Sequence, residues 1–247
     1  MWHPYAQPDT SAAVPFVGPP GSVFGWREKH PLRLSIETLM VTAGTIALLG
    51  LLNRPSGPDY RWFIIPSLLV SAALVPTWLR KEEFPRIGLD RQHLPLSLGT
   101  VCHACIYVFP AIFLVLWWMT SMRLPIPLKP VIAAQHNWVT WLLYQFLYVA
   151  VAEELFFRGY VQANVMRLLR NARWGPSHRH EFVGMLASAG CFALAHVVVR
   201  GQTTALVTFA PGLLFACLFV RTRTLLAPIL LHGLANVSYG IMALTLA

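Results

Sequence analysis

Seven long apolar runs, separated by short segments that carry most of the charge, organise the chain from residue 34 onward. Most of them approach the roughly 20 residues that an α-helix needs to cross a bilayer. The runs are residues 34–52, 62–79, 94–120, 137–157, 182–199, 204–220 and 225–246. The sixth is short, which suggests a helix that is tilted, half-inserted or partly shielded by its neighbours. The pattern predicts an all-α fold: a polytopic transmembrane bundle of about seven helices.

Composition supports this fold class. Of the 247 residues, 56% are hydrophobic and only 12% are charged, which is too apolar for a typical soluble domain. Residues 1–33 are rich in Pro and Gly and lack the continuous apolar core of a signal peptide. We therefore expect two parts, a poorly ordered cytoplasmic N-terminal tail at 1–33 and a transmembrane domain at 34–247.

The basic residues predict an orientation. The net charge is +9, and 14 of the 19 Lys and Arg residues lie in the N-terminal segment or in alternate segments after it. Because cytoplasmic loops collect Lys and Arg, the N-terminus is expected in the cytoplasm. A nucleic-acid partner would need a clustered basic face with stacking aromatic residues, and the scattered basic residues do not predict one. The expected partner is the lipid bilayer.

The end of the fourth run carries two adjacent carboxylates in the motif Glu153-Glu154-Leu-Phe-Phe-Arg158. On a helix, Glu154 and Arg158 are spaced i,i+4 with the acid first, which favours an ion pair along one face. Glu153 points about 100° away from Glu154, so Arg158 cannot serve both equally well. We predict that Glu154 is paired and that Glu153 remains available for proton chemistry.

Two further motifs place polar side chains at i,i+4 spacing in later apolar runs. They are Phe192-Ala-Leu-Ala-His196 and His232-Gly-Leu-Ala-Asn236. Ionisable residues inside a membrane face the bundle interior or a water-filled cavity, and they suggest function by default. Each motif alone has a structural alternative, such as a helix-docking ion pair or an interhelical hydrogen bond. Their occurrence together favours an active site.

A glutamate, two histidines and an asparagine form a workable set for hydrolysis. The carboxylate can act as a general base on water, and one histidine can orient that water and pass a proton to the leaving amine. A second histidine and an asparagine can donate hydrogen bonds to the developing oxyanion. Since no Ser or Cys shows an obvious activating partner among these motifs, direct attack by water is the simplest hypothesis.

The three motifs in this order on successive apolar runs resemble those of the CPBP family of intramembrane glutamic endopeptidases. This family includes the type II CAAX prenyl endopeptidases and bacteriocin-processing or immunity-associated proteins. The resemblance covers roughly 137–247, where the sequence LLAPILLHGLAN before the last motif also fits.

The resemblance implies a role for each motif residue. Glu153 and His196 would activate water, and His232 and Asn236 would form the oxyanion site. Glu154 and Arg158 would be supporting residues, as would Phe192 at the start of the second motif. The implied activity is that of a membrane-embedded endopeptidase with no metal and no cofactor.

The resemblance also implies a substrate and a location. The substrate would be a peptide or protein precursor, possibly lipidated or carrying a C-terminal sorting segment. The location would be an integral position in the membrane, in a bacterium the inner (plasma) membrane.

Two other functions remain open from the sequence. The same His and Glu residues could ligate zinc in a metal-dependent membrane hydrolase, although no H-E-x-x-H motif is present. Alternatively, they could serve a transporter, a proton relay or a scaffold without catalysis. Metal removal and Glu153→Gln distinguish these possibilities from the protease.

The predicted spans contain a conflict in depth. If the fourth helix ends at Phe157, Glu153 lies roughly 6 Å from its inner end, whereas His196 lies roughly 21 Å along its own helix. The two would not meet. We expect the fourth helix to continue past Phe157 towards Arg170, although a tilted or later-starting fifth helix would also resolve the conflict. Glu37, near the inner end of the first run, is expected to snorkel or to be paired.

Overall fold

The computed structural model describes residues 30–52, 61–81, 84–85, 93–123, 137–172 and 177–246, which form seven helices and no strand. The helices are α1 (Pro31–Leu52), α2 (Arg61–Leu79), α3 (Leu94–Ser121), α4 (Trp138–Asn171), α5 (Ser177–Arg200), α6 (Thr203–Thr222) and α7 (Leu226–Leu246). The predicted all-α bundle is confirmed. Apart from residues 30–33, the predicted tail lies outside the described residues, and α1 already begins at Pro31.

Five of these helices are long and apolar enough to cross a membrane, namely α1, α3, α4, α5 and α6. Helices α2 and α7 contain shorter apolar stretches, Phe63–Leu79 and Leu226–Met242. Long apolar helices satisfy their own backbone hydrogen bonds, which is what a lipid environment requires. The chain is therefore an integral membrane protein.

Helix α4 is the longest helix of the described chain, with 34 residues. It begins at a polar cap, because the Asn137 side chain accepts hydrogen bonds from the backbone N–H groups of Val139 and Thr140. It continues past Phe157 to Asn171, as expected from the conflict in depth. Glu153 thus lies 18 residues from the Asn171 end of α4, close to the 19 residues that separate His196 from the start of α5.

Helices α3 and α4 differ sharply in burial. Every residue of α4 between 156 and 164 is buried, whereas α3 has three buried residues in its 28. Helix α3 packs mainly against α7 at the edge of the bundle, and α4 packs against α1, α2, α5 and α7. The carboxylates of α4 therefore project into the centre of the fold.

The winding of α4 is not uniform. Two π-helical segments, Tyr144–Ala150 and Leu155–Gln162, flank a single α-helical turn at Val151–Glu154. A π-helical turn is wider than an α-helical one and re-aims the side chains that follow it, and such segments often occur at functional sites. The two glutamates thus lie between two local distortions of the longest helix.

Away from these glutamates, a second polar cluster joins α1, α2 and α4. Arg80, just after α2, forms an ion pair with Glu37 of α1. The Tyr160 hydroxyl donates to the same Glu37 oxygen over 3.1 Å. Of the two options for Glu37, pairing is the one observed. We call Glu37, Arg80 and Tyr160 the α1–α2–α4 clamp.

Candidate active site

Glu153 and Glu154 meet different surroundings, although they are adjacent. The Glu154 side chain has no exposed surface, whereas that of Glu153 is 18% exposed. Neighbouring residues project in different directions from a helix, so one carboxylate points into packed protein and the other towards a more open region. This difference is the first feature that separates the two acids.

Arg158 is the main partner of Glu154. Its Nη1 donates to Glu154 Oε1 over 2.9 Å, and its Nη2 donates to the carbonyl oxygen of Gly212 over 2.7 Å. Both side chains of the ion pair are fully buried. The ion pair that the i,i+4 spacing predicts is present, and it also joins α4 to α6 through Gly212.

His232 of α7 approaches both glutamates. Its Nδ1 donates to Glu154 Oε1 over 2.7 Å, which leaves Nε2 facing Glu153 Oε2 at 3.8 Å. The second distance is too long for a hydrogen bond. The ring of Phe215 stacks on the imidazole with the ring centroids 4.8 Å apart. Glu154 therefore fixes the orientation of His232, and the free ring nitrogen is aimed at the other acid.

The Glu153 carboxylate is under-satisfied. Its Oε2 is buried and has no hydrogen-bond partner among the residues described. The carboxylate lies within electrostatic range of His196 and of Tyr144. A buried acceptor without a donor is costly, and Glu154 Oε2 is a second such oxygen among the described residues.

His196 of α5 is held in a similar way to His232. Its Nδ1 donates to the Phe192 carbonyl oxygen over 2.9 Å, and its ring lies 4.4 Å from the Phe192 ring, measured between centroids. The Phe192 ring is also 5.9 Å from the His232 ring and 4.7 Å below the Arg158 guanidinium carbon. Phe192 therefore forms a shared wall of the site, and the Nε2 atom of each histidine is left for other contacts.

Asn236 lies one turn beyond His232 on α7 and makes its contact with α4. Its Nδ2 donates to Gln145 Oε1 over 3.0 Å. The structure thus brings Glu153, Glu154, Arg158 and His232 into one cluster with His196 close by. Asn236 is linked to α4 through Gln145, a residue that the three motifs did not include.

Four residues of the site escaped the sequence analysis: Tyr144, Gln145, Gly212 and Phe215. Gln145 carries a signal, because it is a carboxamide in an otherwise apolar run. Gly212 and Phe215 carry none, since a backbone carbonyl and a packed ring in an apolar helix look like any other core position. Their roles depend on the contact between α4 and α6, which local sequence does not encode.

A metal ion needs several ligating side chains around one position. In the part of the chain that the structure describes, no three His, Cys, Asp or Glu side chains are grouped closely enough to hold one. The Nδ1 atoms of His232 and His196 bond Glu154 and a backbone carbonyl, respectively.

These helices and this buried polar cluster define an integral membrane protein with a candidate site among α4–α7. Residues 135–238 match the family model described as type II CAAX prenyl endopeptidase Rce1-like. The chain thus carries an Rce1-like domain, and its resemblance to the CPBP family is confirmed. No curated protein and no solved structure was found to match it. The match covers 104 of the 247 residues, and such a domain implies a membrane protease with a peptide or protein substrate.

Proposed function

We propose that the chain is an intramembrane glutamic-type endopeptidase. In this proposal Glu153 and His196 activate water, and His232 and Asn236 bind the oxyanion. Glu154, Arg158 and Phe192 hold these groups in place. The catalytic core is the part of the transmembrane domain (34–247) that lies at about 137–247.

The observation that carries the proposal is the different exposure of the two adjacent acids. Glu154 accepts from Arg158 and His232 through one oxygen and is fully buried. The Oε2 atoms of both acids lack a hydrogen-bond partner among the described residues, so exposure is what separates them. Glu153 is 18% exposed and has an imidazole nitrogen 3.8 Å from its Oε2, whereas Glu154 is fully buried beside its ion pair. A general base must be within reach of water and substrate, and Glu153 meets this condition better than Glu154.

In the proposed reaction, Glu153 and His196 act through lone pairs that their side chains do not use in hydrogen bonds with the protein. Glu153 removes a proton from water as the water oxygen attacks the scissile carbonyl carbon. His196, whose Nδ1 donates to a backbone carbonyl, presents Nε2 as an acceptor that orients the water. The proton taken from water is passed to the leaving amine as the tetrahedral intermediate collapses, so the peptide bond is replaced by a carboxylate and an amine.

The negatively charged oxygen of the tetrahedral intermediate needs hydrogen-bond donors, in addition to the groups that activate water. Asn236 has a second Nδ2–H besides the one that bonds Gln145. In this role His232 carries protons on both ring nitrogens, with Nδ1–H donating to Glu154 and Nε2–H to the oxyanion. Preorganised donors of this kind lower the barrier by several kcal/mol in a site with little water.

The proposed substrate is a membrane-associated precursor that carries a lipid or a C-terminal sorting segment. The match to a prenyl endopeptidase family supports a lipidated substrate, and the position of the site inside apolar helices supports one that lies at the bilayer. The N-terminus, with its tail at 1–33, lies in the cytoplasm, and in a bacterium the protein resides in the inner membrane.

The experiment is mass spectrometry of membrane-associated peptides from cells that carry either the wild-type chain or Glu153→Gln. An uncleaved precursor is expected to accumulate in the variant, since Gln cannot accept the proton. Glu37→Gln is the matched control, because it makes the same change at a membrane glutamate of the α1–α2–α4 clamp, and it should process the precursor normally. Identical peptide profiles in wild-type and Glu153→Gln cells, with equal amounts of inserted protein, would contradict the proposal.

A second assay separates water activation by Glu153 from activation by a metal. Purified protein in lipid nanodiscs is incubated with a farnesylated C-terminal peptide and with the same peptide lacking the lipid. Cleavage of the lipidated peptide should persist after exhaustive chelation. Loss of activity on chelation and recovery on adding zinc would replace the glutamic mechanism by the metal-dependent one.

A further inference from the structure

Gln145 contacts the site from an unexpected position. It lies in the first π-helical segment of α4, eight residues before Glu153, and its Oε1 accepts the hydrogen bond from Asn236 Nδ2. In a regular α-helix with 3.6 residues per turn, positions eight residues apart point about 80° away from each other. The wider π-helical turn changes this angle, so Gln145 and Glu153 can both serve one site.

The bond is supported by a close approach of α4 and α7 at the same level. Gly233 follows His232, and a methyl group on it would overlap the ring of Phe146, which follows Gln145. Because Gly233 lacks that methyl group, the two helices come close enough for two short polar side chains to meet. The Gln145–Asn236 contact is thus built by backbone geometry on both helices.

We propose that Gln145 is a positioning residue that orients the Asn236 carboxamide for the oxyanion. This inference rests on the oxyanion role proposed above for Asn236. A carboxamide that turns about its last side-chain bond exchanges its N–H₂ group for its carbonyl oxygen, which would repel an oxyanion. In the hydrogen bond observed, Gln145 Oε1 accepts one Nδ2–H, which places the Asn236 nitrogen on the α4 side and leaves the second N–H for the intermediate.

The test is a double-mutant cycle on the purified protein with the farnesylated peptide as the probe. Asn236→Ala should lower kcat by about 10²–10³-fold, as the loss of an oxyanion donor does elsewhere. Gln145→Met keeps the length of the side chain but removes the acceptor, and it should lower kcat about 10-fold with little change in KM. Added to Asn236→Ala, Gln145→Met should have no further effect, because no carboxamide remains to orient.

Thr140→Val is the matched control. It removes an exposed polar group five residues earlier on the same helix and should leave kcat unchanged in both backgrounds. The thermal unfolding midpoint of each variant detects a purely structural effect, and Gln145→Leu is a second replacement should Gln145→Met fold poorly. Unchanged kcat in Asn236→Ala would overturn the oxyanion role and this inference with it. A normal kcat in Gln145→Met, or equal losses in both backgrounds, would overturn the inference alone.

Discussion

Two polar clusters inside the bundle both contain a Glu–Arg ion pair but differ in what surrounds it. The α1–α2–α4 clamp joins Glu37, Arg80 and Tyr160, and both donors meet one oxygen of Glu37. The site cluster also contains a Glu–Arg pair, Glu154 with Arg158, but it has a second carboxylate beside it that Arg158 does not bond. The additional carboxylate of Glu153, rather than the ion pair, distinguishes the candidate site from the α1–α2–α4 clamp.

Burial differs between the clusters in a way that fits this distinction. In the clamp, Glu37 is 21% exposed, whereas both members of the Glu154–Arg158 pair are 0% exposed. Fully buried charges tolerate no loss of a partner, because the remaining charge cannot reach water. The site therefore depends on its ion pair more strongly than the clamp does, and the following variants test this ranking.

The largest effect on stability is expected for Arg158→Met. It leaves the Glu154 carboxylate buried without its cation and should destabilise the fold by about 3–5 kcal/mol. The measurement is the unfolding transition of the purified protein in detergent. Arg80→Met makes the same change in the clamp and should cost clearly less, since Glu37 is closer to solvent. Equal losses of stability in Arg158→Met and Arg80→Met would show that the two clusters depend equally on their ion pairs.

A smaller effect is expected for Gly233→Ala. The added methyl group overlaps the Phe146 ring, and such overpacking should cost about 2 kcal/mol. Gly44→Ala on α1 is its control, because a methyl group there meets nothing within 4 Å, and it should leave stability unchanged or slightly raised. Combining Gly233→Ala with Phe146→Leu should restore part of the loss. If Gly233→Ala behaves like Gly44→Ala, close contact between α4 and α7 is not required.

The smallest effect is expected for Tyr160→Phe in the clamp. It removes one hydrogen bond to Glu37 while the Arg80 ion pair remains, which should cost about 1 kcal/mol. Peptidase activity should stay at the wild-type level, because Tyr160 bonds Glu37 and not the glutamates of the site. A drop in kcat without a change in the unfolding midpoint would assign the clamp a part in catalysis.

Much of this architecture could be predicted, because it follows from local spacing. Apolar runs predicted seven helices, and the i,i+4 rule predicted the Glu154–Arg158 pair. The continuation of α4 followed from the requirement that Glu153 and His196 reach the same depth. Each of these inferences uses residues within one helix or a simple length argument.

The contacts between helices could not be predicted in the same way. The spacing places His232 and Asn236 on one helical face, but it does not indicate that His232 bonds Glu154, 78 residues earlier in the chain. The sequence pattern did not predict the π-helical segment Tyr144–Ala150, in which Gln145 meets Asn236. Such features depend on the packing of α4 against α7, which only the assembled fold defines.

The two adjacent glutamates are expected to have different roles, which a side-by-side measurement of kcat and unfolding midpoint for Glu153→Gln and Glu154→Gln can separate. Glu153→Gln should lower kcat by about 10²–10⁴-fold and keep the wild-type midpoint, because it removes a base and no structural contact. Glu154→Gln should lower the midpoint, because Arg158 loses its buried partner. Wild-type kcat in Glu153→Gln would contradict the account.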